Sequence, residues 1–104
     1  MEHAVIVRLP LDDAQFGSPQ RREALYALED ELINAIELAQ AGEFDGNDFG
    51  QGECTFFMYG PDADVLYMVI EVVLQESPLA RGGHALKRYG PADEPNAREI
   101  RVIW

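Results

Sequence analysis

Basic residues are missing from more than half of this chain: no Lys, Arg or His occurs between Glu23 and Ala80. Cysteine is almost missing too. The one thiol, Cys54, cannot close an internal disulfide, and such sparse cysteine fits a reducing cytoplasm. Long hydrophobic runs are lacking as well. The longest, Val65 to Ile70, is broken by Glu71 and is far too short to cross a bilayer, so no membrane anchor is expected. The start, Met1-Glu2-His3-Ala4, carries no basic n-region and passes straight into strand-like sequence, which predicts a cytoplasmic protein without a leader. Low-complexity tracts and Gly/Ser linkers are absent, so residues 1–104 read as a single domain.

The acid-only stretch holds thirteen Asp and Glu residues. The segment from Arg81 to Trp104 is different, with five of the eight basic residues against three acids. The net charge of -11 is therefore concentrated in the middle of the chain. Such a field repels nucleic acid and anionic lipid and attracts basic partners. At 47 % apolar and 26 % charged residues, the composition is that of a folded globular protein.

Along the chain, His3 to Leu9 alternates with β-branched residues and predicts a strand. Pro10 and Asp12-Asp13 end it. Ser18 with Pro19 predicts a helix start, and Leu25, Leu28, Leu32, Ala35 and Ala39 form one apolar stripe up to Gly42, giving a helix over 19–41. Residues 43–49 and 53–59 read as a hairpin turning at Gly50-Gln51-Gly52. Asp62 caps a second helix over 62–76, whose Leu66, Val69, Ile70, Val73 and Leu74 keep helical spacing despite their β-branched bias. Strands over 84–89 and 99–104 flank a turn rich in Pro and Gly. The order β-α-β-β-α-β-β predicts an α+β, ferredoxin-like split βαβ fold, an antiparallel sheet with both helices on one face. Right-handed crossovers give the spatial order 4-1-3-2, with the C-terminal strand at the edge beside the fourth.

Few residues offer chemistry. Glu43 to Gly50 is rich in acids, but a calcium loop begun at Asp45 needs an oxygen ligand where Phe49 stands and a bidentate Glu where Phe56 stands. One begun at Glu43 puts Asp48 at the obligate glycine. A solvated hairpin explains it better. Cys54, His3 and His84 lie on three separate strands without zinc-ligand spacing, so neither metal nor cofactor is expected. Arg81-Gly82-Gly83 follows a helix C-terminus rather than opening a helix, which is the wrong place for a phosphate cradle. An RNA-reading sheet needs aromatics on the central strands against a basic background; here the charge has the wrong sign. One repeat stands out, Tyr59-Gly60-Pro61 and Tyr89-Gly90-Pro91 at two strand ends. It predicts a small-ligand cluster of His3, Tyr59, Asp62 and Tyr89 at one sheet edge, set against the plainer reading that Tyr-Gly-Pro stops a strand well.

Two expectations follow. The first is a non-enzymatic binding protein that docks a basic protein through an acidic surface including Glu29, Asp30, Glu37, Asp45 and Asp48. Toxin-neutralising, immunity-type proteins have this small, acidic, cytoplasmic look. The alternative is a ligand-binding or enzymatic dimer using the tyrosine cluster. The second concerns assembly. Two helices cover one sheet face, yet both sides of the central strands are apolar. A homodimer is expected to cover the other face, with Ile6, Phe56, Phe57, Met58 and Ile103 as its contact residues.

Overall fold

The computed structural model describes residues 2–104. Its elements are β1 (His3–Pro10), α1 (Pro19–Ala39), β2 (Glu43–Gly50), β3 (Glu53–Gly60), α2 (Ala63–Gln75), β4 (His84–Arg88) and β5 (Glu99–Ile103), with a 3-10 turn at Pro78–Ala80. All strand pairs are antiparallel, and the sheet runs β2-β3-β1-β4-β5. This is the expected ferredoxin-like α+β arrangement, with β5 at the edge beside β4.

Local chemistry sets the element ends. The Ser18 side chain accepts from the Arg21 N–H and Pro19 opens α1. The helix stops two residues before the expected Ala41, because Gln40 takes a left-handed conformation and its N–H turns back to the Glu37 carbonyl. A left-handed residue at this point is the usual way to satisfy the last free carbonyls. In α2, Asp62 is the cap, as expected, accepting from the Asp64 and Val65 N–H groups. The β2–β3 turn is Gln51-Gly52, both at positive φ, as a tight hairpin that follows the sheet twist requires. Gly42 lies where an added Cβ would collide with the Tyr59 carbonyl oxygen, so α1 enters β2 at a point only glycine can occupy.

The core lies between the helices and one sheet face. β1 gives Val5, Val7 and Leu9, β3 gives Cys54, Phe56 and Met58, and β4 gives Ala85. Against them α1 packs Leu25, Leu28, Leu32 and Ile36, and α2 packs Leu66, Tyr67, Ile70 and Leu74. Ile36 takes the place expected for Ala35, and Ala39 is exposed. Phe56 and Met58, expected on a dimer face, are instead fully buried beneath the helices. Strand parity explains this. Met58 pairs with Val5 and Phe56 with Val7, so both share the covered side of β1. Ile6, Phe57 and Ile103 lie on the other side, which no helix covers.

Candidate functional site

Two regions gather functional side chains. The first joins the start of β1, the end of β4 and the N-terminus of α2. His3 Nδ1 accepts from the Ala63 N–H at 3.0 Å, and the His3 ring meets the Tyr89 ring edge-on at 5.5 Å. The Tyr89 hydroxyl and the Lys87 ammonium both donate to Asp64 Oδ1, at 2.5 Å and 3.0 Å. Arg98 stacks over the Tyr89 ring at 5.4 Å.

These contacts hold the protons in fixed places. The hydrogen bond from Tyr89, then that from Lys87, keeps the Asp64 carboxyl below its ordinary value. Partial burial, followed by the bond to Asp64, pushes the Tyr89 phenol up. The bond to Asp64 likewise raises Lys87. Each shift moves its group further from neutrality, the opposite of what acid–base catalysis near pH 7 requires. Physically, this is a clasp that fastens α2 to the sheet.

Of the four residues expected to converge, His3 and Tyr89 touch. Asp62 is adjacent but occupied as the α2 cap. Tyr59 is elsewhere. It pairs with Ala4, while His3 pairs with Gly60, and that one-residue offset puts Tyr59 on the opposite sheet face. The four do not form one pocket. Asp64 and Lys87, which complete the clasp, were not among the expected site residues.

The second region is the uncovered sheet face, which divides by charge. Asp48, Thr55, Arg8, His84 and Ile103 form one row across the five strands; Gly46, Phe57, Ile6, Leu86 and Arg101 form the next. The β2–β3 half carries Glu43, Asp48 and Glu53, and the β1–β4–β5 half carries Arg8, His84 and Arg101 together with the Arg88–Glu99 ion pair. A cleft of about 530 Å³ opens here, between Arg8, Asp48, Glu53 and Thr55 and the rings of Phe16 and Phe57. The His84 imidazole is held below its ordinary value, first by burial and then by the Arg101 and Arg8 charges, with Glu53 acting the other way.

The expected partner-binding acids also separate. Glu29, Asp30 and Glu37 lie on α1, and Asp45 is the bulged residue of the edge strand β2. Glu29 accepts from the Asn47 side chain at 2.6 Å, and the Tyr26 and Phe49 rings meet at a tilt, 5.4 Å apart, so α1 lies along β2. Together they make one anionic flank. Asp48 pairs with Thr55 and belongs to the uncovered face. Cys54 is fully buried, and burial, reinforced by Glu29 and Asp48, pushes its thiol up to about 12. Among the described residues, no three His, Cys, Asp or Glu side chains gather closely enough to hold a metal ion, and no helix is long and apolar enough to cross a membrane.

No family model matches this chain, and no curated protein matches it. Among solved structures, that of Rv0793 from Mycobacterium tuberculosis is similar. It covers 91 % of this chain and 99 % of its own, at 20 % identity and a TM-score of 0.59. A likeness at that identity speaks for the fold alone.

Proposed function

We propose that this protein is a non-enzymatic binding module that presents the anionic flank of α1 and β2 to a basic protein. The observation that carries the reading is unpaired charge. Of the thirteen acids between Glu23 and Ala80, only Asp64 joins an ion pair among the described residues. Glu29, Asp30, Glu37 and Asp45 share a flank on which the chain places no cation after Arg22 until Arg81. Helix stability did not select this pattern, since α1 has no acid in its first turn and no base in its last. Arg21 in that first turn serves the loop instead, donating to the Pro10 carbonyl at 2.9 Å. Like charges held close without counterions favour a partner that supplies the opposite sign, chiefly through faster encounter and selectivity. Neutralising a basic, cytoplasmic toxin, in the manner of immunity-type proteins, is one task this surface suits.

The test is affinity capture from a lysate of the source cell at low and at high salt, using the wild type and an E29Q/D30N/E37Q variant. The expected result is a basic protein held at low salt, released at high salt, and not retained by the variant. Capture that ignores both salt and the substitutions, or recovery of no basic protein, overturns the reading.

A further inference from the structure

We propose that a second copy of this chain covers the uncovered sheet face, oriented so that the acidic β2–β3 half of each copy lies over the basic β4–β5 half of the other. The inference does not use the α1–β2 flank, which stays outward in such a pair.

The first support is apolar. Ile6, Phe57 and Leu86 are lateral neighbours across β1, β3 and β4. Tyr59 extends the group along β3, and Ile103 at the edge is 73 % exposed. A contiguous apolar centre in a rim of charge is the anatomy of a protein interface.

The second support is the sign of that rim, which selects the occupant. Asp48 and Glu53 on β2 and β3, and Arg101 on β5, form no ion pair within the chain among the described residues; the pairs present are Lys87–Asp64 and Arg88–Glu99. Asp48 stands on β2 and Arg101 on β5, at opposite edges of the five-stranded sheet. They are therefore roughly 19 Å apart at ordinary strand spacing, too far to meet within one molecule. A two-fold axis lying in the interface and running along the strands exchanges these edges, so each acidic half meets a basic half twice over. An axis across the strands would put acid over acid. One surface thus carries both members of its own complement, which is what an isologous contact requires.

Sedimentation at micromolar concentration and low salt is expected to give a dimer that dissociates as salt rises. The exposed single reversals Asp48→Arg and Arg101→Glu are each expected to weaken it by about tenfold or more, and the double reversal in one chain to restore it. Phe57→Arg is expected to abolish it, with circular dichroism confirming the fold. A monomer under all these conditions overturns the proposal. So does a single reversal that tightens the dimer, or a dimer indifferent to all of these substitutions but broken by Met68→Arg on the outer side of α2.

Discussion

The two faces of one sheet use similar residue types to different ends. Under the helices, Val5, Val7, Leu9, Cys54, Phe56, Met58 and Ala85 are each shut from solvent completely. On the other side Ile6, Phe57 and Leu86 remain partly open, and they alternate with Arg8, Thr55, His84 and Arg101. Among the described residues, the covered face has no buried polar or charged residue, as a dry core demands. The uncovered face keeps its charges at hand, with unpaired acids on β2 and β3, unpaired arginines on β1 and β5, and Arg88 paired with Glu99 among the described residues. Burial by the protein's own helices therefore specifies the fold, while the half-polar face stays available for recognition.

The sharpest break between the faces concerns Cys54. With its thiol at about 12 rather than the ordinary 9.0, the thiolate fraction falls by about a thousandfold, and the side chain has no exposed surface. Alkylation of the native protein is expected to be slower than that of the urea-unfolded chain by at least that factor, its rate following global opening. Fast native labelling, read by mass spectrometry, would show that the covered face is not closed.

Phe56 and Phe57 sharpen the comparison, being neighbours of identical chemistry on opposite faces. Phe56→Ala opens a cavity in the core and is expected to cost about 3–5 kcal/mol. Phe57→Ala, measured where copies are dilute enough to stay apart, is expected to cost roughly 1 kcal/mol. Urea midpoints compare them directly. Equal losses would mean that the two faces are equally packed within one molecule.

Much of this was legible in the sequence, and the exceptions have a common cause. The element order, and with it the strand order, follows from caps and turns whose chemistry is local: Ser18-Pro19, Gln51-Gly52 and Asp62. Facing is not local. β1 is apolar on both sides, Val5, Val7 and Leu9 against Ala4 and Ile6, and β3 repeats the ambiguity with Phe56 against Phe57. Alternation sorts such residues into two sets but cannot say which set the helices choose. Hence Phe56 and Met58 were expected on the wrong face. The tyrosine cluster failed for a related reason. The repeated Tyr-Gly-Pro correctly marks two strand ends, yet antiparallel pairing sets His3 against Gly60, and a shift of one residue sends Tyr59 to the far side. The clasp and the charges of the uncovered face are cross-strand features, visible only once the register is known.

The smallest expected effect lies at the clasp, on the covered side where α2 meets β4. Asp64 accepts from both Tyr89 and Lys87, and these bonds lower its carboxyl below the ordinary 3.8. A group depressed in the folded state stabilises fully above its unfolded value and loses that contribution as pH falls through the folded one. Stability due to the clasp is therefore present at neutral pH and is lost below about pH 3.8. Asp64 is exposed, so solvent screening is expected to keep the change slight. Asp64→Asn should flatten that part of the stability–pH curve while leaving the neutral-pH fold intact. Tyr89→Phe should do the same in part, because the bond from Tyr89 is the larger cause of the shift. Urea titrations between about pH 2.5 and 6 would compare the three proteins. Identical slopes for wild type and Asp64→Asn would mean that α2 is fastened to the sheet by packing of Leu66, Tyr67 and Ile70 alone, and that its polar clasp contributes nothing.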